Sequence, residues 1–223
     1  MSLIAAFKKA PSSGLSSADM IRAVQSNAAL AAEIDPETSN TVLHFACCNG
    51  APLALVDAII AANPSASRAK DSDGNLPIVG AVANGASHAV IQALLKANPA
   101  SMKARQGEHT LLHTAACNGQ SVETVALLLE AWPEAAAERD GLGNTPLHFA
   151  AGCQASAAVV RALLAACPEA AKWRGQMQRY PLSLSLLCEA PPAAVEAIRD
   201  AYPDAQRTLE LVADYQNHGL GVS

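Results

Sequence analysis

The sequence repeats itself about every 35 residues, and no other feature restricts the fold so sharply. The fullest copy begins Asn144-Thr-Pro-Leu-His-Phe-Ala-Ala151. Thr145 suits a helix N-cap, Pro146 suits the first helical position, where its missing N–H costs nothing, and His148 lies within reach of the cap. Aligned on that cap, copies start at Thr41, Leu76, Thr110, Thr145 and Tyr180, with spacings of 35, 34, 35 and 35. A second marker keeps the same register: Pro64, Pro99, Pro133, Pro168 and Pro203 each follow their start by 23 residues. Such a period means stacked units, none of which buries its apolar face alone.

Each copy reads as a short helix, a break, a longer helix and a loop. The breaks are Asn49-Gly50, Asn84-Gly85 and Asn118-Gly119, where glycine can take the left-handed conformation that ends a helix. The longer helix carries Val56/Ile59/Ile60, Ile91/Leu94/Leu95, Val125/Leu128/Leu129 and Val160/Leu163/Leu164, the stripe of a buried helix face. Proline ends it. Asp71-Ser-Asp-Gly74 and Asp140-Gly-Leu-Gly143 then predict a projecting β-turn or hairpin.

Thr145-Pro146-Leu147-His148, the Asn-Gly breaks and the Asp-x-x-Gly turns together resemble the ankyrin repeat family, over roughly residues 30 to 206. The resemblance implies an all-α repeat solenoid, an ankyrin-type stack of helix pairs joined by β-turn or hairpin fingers. It also implies protein partners held by the fingertips and by the inner face of the first helices. The chain departs from the pattern at Val79 and Ser183, where histidine is expected, and its repeats exceed the usual length of about 33, with the surplus in the Ala-x-Pro-x-Ala loop. A composition 51% hydrophobic but only 4% aromatic suits thin helices stacked closely.

The expected organisation is a flexible tail over 1–16, a repeat domain over 17–207 and a second tail over 208–223. The N-terminal cap, 17–40, reads as half of a helix pair behind a Ser16-x-x-Asp19 capping box. The C-terminal capping repeat, from 180, brings in Ser183, Ser185, Arg199 and Asp200, as a face that meets water requires.

A net charge of −5 gives no general attraction to nucleic acid or anionic membrane, and the apolar start before Lys8-Lys9 is too short to insert in a bilayer. The six cysteines, Cys47, Cys48, Cys117, Cys153, Cys167 and Cys188, include no Cys-x-x-Cys pair. They predict reduced thiols, no disulfide framework and a cytoplasmic protein; an organellar presequence within residues 1–18 is the alternative, since no acid precedes Asp19.

His44/Cys48 and His113/Cys117 are four apart, so each pair offers two metal ligands, but the pairs lie two repeats or roughly 20 Å from one another and cannot share an ion. The expectation is therefore a non-catalytic, monomeric protein-interaction module with no cofactor, metal or catalytic residue. The alternatives are a permanent structural subunit of a larger assembly and, behind it, a metal-binding or Cys/His enzyme. Two sets of residues are candidates for binding a protein. Asn49, Asn84 and Asn118, among small neighbours, line a shallow inner groove. Lys70, Arg105, Arg139 and Arg174 each fall 29 residues after a repeat start, so stacking aligns them as a basic row at the fingertips. Asp71 and Asp140 follow two of them and partly neutralise the charge, leaving Arg105 and Arg174 the freer pair. Trp173 and Met177 flank Arg174 and supply contact area, and Trp and Arg are enriched at binding hot spots. A protein partner with an acidic segment fits this row.

Overall fold

The computed structural model describes residues 2–8 and 16–204. The tail expected over 208–223 lies outside the described residues. Twelve α-helices are present among them, and from residue 42 onward they alternate as expected between seven-residue and ten-residue lengths. The shorter, inner helices are α3 (Val42–Cys48), α5 (Pro77–Ala83), α7 (Leu111–Cys117), α9 (Pro146–Gly152) and α11 (Pro181–Leu187). The longer, outer ones are α4 (Leu53–Ala62), α6 (His88–Ala97), α8 (Val122–Ala131), α10 (Ala157–Ala166) and α12 (Pro192–Ala201). Inner helices pack on inner and outer on outer along the array. Ala46, Ala81, Ala115 and Ala150 are all buried between inner helices, where a small side chain permits close approach.

Three inner helices start with a reciprocal cap. The backbone N–H of Thr41, Thr110 and Thr145 donates to Nδ1 of His44, His113 and His148 at 3.2, 3.2 and 3.1 Å. An accepting Nδ1 puts the neutral ring's proton on Nε2, which donates at 3.1 Å to the carbonyl of Asn75 from His44 and to that of Asn144 from His113. Each such histidine ties its repeat to the next finger.

The residues that lengthen the repeat are not a loop. Pro64–Arg68, Pro99–Lys103, Pro133–Ala137 and Pro168–Lys172 form 3-10 turns with proline at the start. They cross-link along the stack: Asn63 Nδ2 donates to Ala31 O at 3.2 Å, and Asn98 Nδ2 to Ser67 O at 2.9 Å.

The N-terminal end differs from expectation. In place of a flexible tail, Leu3–Lys8 forms a helix, α1, with Leu3, Ile4, Ala6 and Phe7 buried. Phe7 stacks on Phe45 of α3, ring centroids 6.4 Å apart, and Lys8 Nζ reaches Asp35 at 2.6 Å. With α2 (Ser17–Ser26), which begins at the expected Ser16/Asp19 capping box, α1 completes a helix pair. The cap is whole and not half, because the apolar side of α3 would otherwise face water.

Candidate protein-binding site

The fingers position the basic row. At Asp71 and Asp140 the carboxylate accepts two backbone N–H groups of its own turn, from Asp73 and Asn75 at 2.9 and 2.8 Å and from Leu142 and Asn144 at 3.0 and 2.8 Å. These acids therefore hold the turn in shape. The third finger is a residue shorter, and it closes as a hairpin pairing Arg105 with Thr110 and Gln106 with His109 around Gly107-Glu108, with Gly107 at φ 59°.

Lys70, Arg105, Arg139 and Arg174 all project from this edge, and three of them lie over rings. Arg105 sits 5.9 Å from the centroid of Trp132, Arg139 4.8 Å from Trp173, and Arg174 4.9 Å from Tyr180. Arg105 is not the freer residue its neighbours in sequence imply: its Nη2 meets Glu138 Oε2 at 2.6 Å and its Nη1 donates to Glu108 O at 3.0 Å. Lys103 joins the row over Trp132 at 5.7 Å. It lines, with Lys70 and Arg105, a cleft of about 360 Å³ between the second and third fingers.

The three asparagines of the inner groove have another task. Asn49 and Asn84 donate at 2.8 Å to Phe45 O and Gly80 O in their own helices, and Asn118 donates at 3.1 Å to Ala83 O of the preceding repeat. They cap helix ends. Their amide donors are engaged within the array.

Larger apolar side chains lie where the sequence reading placed none, at the C-terminal end of the groove. Phe149 on α9 and Leu184 on α11 are half-buried, at the position that holds Gly80 in the second repeat, and Leu187 is 62% exposed. With Gly152 and Cys153, Phe149 and Leu184 wall a cleft of about 250 Å³, roofed by Gln176, Met177 and Arg179 of the last finger. Met177, a candidate from the sequence, is 75% exposed and holds φ 57°; Gln178 beside it holds φ 58°. The finger is anchored by Gln176 N, which donates to Asn144 Oδ1 at 2.9 Å. Asn144 and His148 lie so close beneath Gly175 that a side chain there has no room. The carbonyls of Arg179 and Trp173 lie near His148 Nε2, but no acceptor completes its hydrogen bond, and burial holds the imidazole's pKa down to about 4.

The cysteines also depart from expectation. Cys117 ends α7 and Cys153 follows α9; their Cα atoms lie 5.0 Å apart and a disulfide joins them. Their repeats are neighbours, and a cap-position cysteine one residue past the helix reaches the end of the helix beside it. Cys47, Cys48, Cys167 and Cys188 are free thiols. The His44/Cys48 and His113/Cys117 pairs are not ligand pairs, since both ring nitrogens of each histidine are hydrogen-bonded and Cys117 is bridged. Among the described residues no helix is long and apolar enough to cross a membrane.

A stack of capped helix pairs with projecting fingers defines a helical repeat protein of the ankyrin type. Residues 78–173 match the family model for ankyrin repeats in three copies, and these residues are ankyrin repeats. No curated protein matches the sequence. Among solved structures, a chain from the complex of a predatory endopeptidase from Bdellovibrio bacteriovorus with an immunity protein is similar at 22% identity and a TM-score of 0.67, over 89% of this chain and 97% of that one. At that identity the likeness shows the fold alone.

Proposed function

We propose that the chain is a protein-binding module that holds an acidic segment of its partner against the fingers and the adjoining concave face. The observation that carries this reading is the row Lys70, Arg105, Arg139 and Arg174 on a protein of net charge −5, with three of the four cations seated over aromatic rings. A guanidinium resting on a ring is held in place before a partner arrives, which reduces the ordering entropy lost on binding. Cations at an exposed edge act chiefly on encounter and selectivity, so salt should weaken the complex. The cytoplasmic placement expected from the cysteines now rests on the four free thiols alone.

The test uses a labelled glutamate-rich peptide, titrated at low and moderate salt against the protein and against Lys70→Glu/Arg174→Glu. These positions are chosen because Arg105 is already paired with Glu138. Affinity should fall about tenfold or more in the double variant, with a shallower dependence on salt. Equal affinity and equal salt dependence, with the fold intact, would remove the row from the binding site.

A further inference from the structure

We infer that the cleft between α9 and α11 is an anchor site that takes one bulky apolar side chain from the partner's acidic segment. The inference rests on the acidic-partner reading and adds where such a segment is gripped. At about 250 Å³ the cleft falls below the roughly 300–1,000 Å³ of small-molecule and cofactor sites, a size suited to a single side chain. Its walls are Phe149 and Leu184, and its rim residue Met177 is exposed, an arrangement of apolar contacts around a recess like those that hold interface hot spots. Phe149 is held edge-on by His109 and His113 of the preceding repeat, ring centroids 5.0 and 5.3 Å away, and it also lines the cleft beside α11.

The finger that roofs this cleft is itself unusual in its backbone. Met177 and Gln178 are consecutive non-glycine residues in the left-handed region, and such strain gathers at ligand clamps. Charge selects the occupant: no acidic side chain lines the cleft, Arg179 stands on its rim, and Arg174 and Arg139 lie on the same fingers. An acidic segment carrying one Phe, Leu or Met complements both the recess and its rim.

The test uses short labelled peptides of three kinds: glutamate-rich with a central Phe, the same with a central Ala, and an uncharged peptide with a central Phe. The acidic Phe peptide should bind about tenfold more tightly than the acidic Ala peptide and should move the methyl resonance of Met177 while that of buried Met20 stays put. Gly152→Phe should abolish the Phe-over-Ala preference and leave the weaker acidic binding intact. A Cβ at Gly152 meets nothing within 4 Å, so the plug need not disturb the core; Leu184→Ser is a second variant with the same expected effect. Equal binding of the two acidic peptides, unaffected by Gly152→Phe, would overturn the anchor site and leave the acidic-partner reading standing. Binding of the uncharged Phe peptide alone would overturn that reading and the acidic occupant with it. Self-association of the free protein that Gly152→Phe abolishes would make a second copy the occupant and overturn the proposal.

Discussion

At the scale of single residues, the Thr-x-x-His cap does two jobs and makes the fold sensitive to acid. His44, His113 and His148 are buried, accept a backbone N–H on Nδ1, and all have pKa values lowered by desolvation. A histidine held near 4 when folded and near 6.5 when unfolded binds its proton preferentially in the unfolded chain, so its contribution is present above pH 6.5 and is lost as pH falls towards 4. For His148 this amounts to about 2 kcal/mol by pH 5. His148→Gln keeps an acceptor for the cap but does not titrate. Urea unfolding at pH 7 and pH 5 should show a smaller acid loss in this variant by about that amount; an unchanged loss would mean that His148 is not held neutral.

At the scale of elements, both helices of each repeat bury large apolar side chains, and the outer helix shows most simply what one of them contributes. Leu128 of α8 is 4% exposed, so Leu128→Ala should cost about 2–5 kcal/mol, whereas Glu123→Ala on the exposed side of the same helix should stay within about 1 kcal/mol. Denaturant midpoints of the two variants check this, and equal shifts would mean that the buried face of α8 is wrongly assigned. That face was legible in the sequence, as were the caps and the register, because each is set by spacing within a few residues. Helix α1 was not, since Leu3, Ile4 and Phe7 span little more than a turn and acquire a purpose only when Phe45 is beside them. The basic row was legible as a row, but the pairing of Arg105 with Glu138 depends on the neighbouring finger. The cleft was hidden for a further reason: Phe149 and Leu184 read as ordinary helix residues, and nothing in the letters Met177-Gln178 announces a left-handed backbone where glycine is the usual choice.

At the scale of the whole molecule, the array has two unlike ends. The N-terminal end carries α1 and α2, while among the described residues the last inner helix, α11, shows Leu186 and Leu187 at 44% and 62% exposure. A stack in which each unit touches only its neighbours would behave under tension as a row of springs, giving up its units one by one. The bridge from Cys117 to Cys153 changes that mechanics, because it shortcuts the chain across a sequence separation of 36 residues. At about 3.3–3.6 Å per extended residue, roughly 120 Å of contour is locked out of any extension while the bond is intact. Single-molecule pulling on the full chain should therefore give a final length shorter by about that amount in oxidising than in reducing buffer, and equal lengths would mean that the bond is not formed in the protein so pulled. Oxidised, this solenoid carries a rigid link in its middle; reduced, it can be drawn out along its whole length.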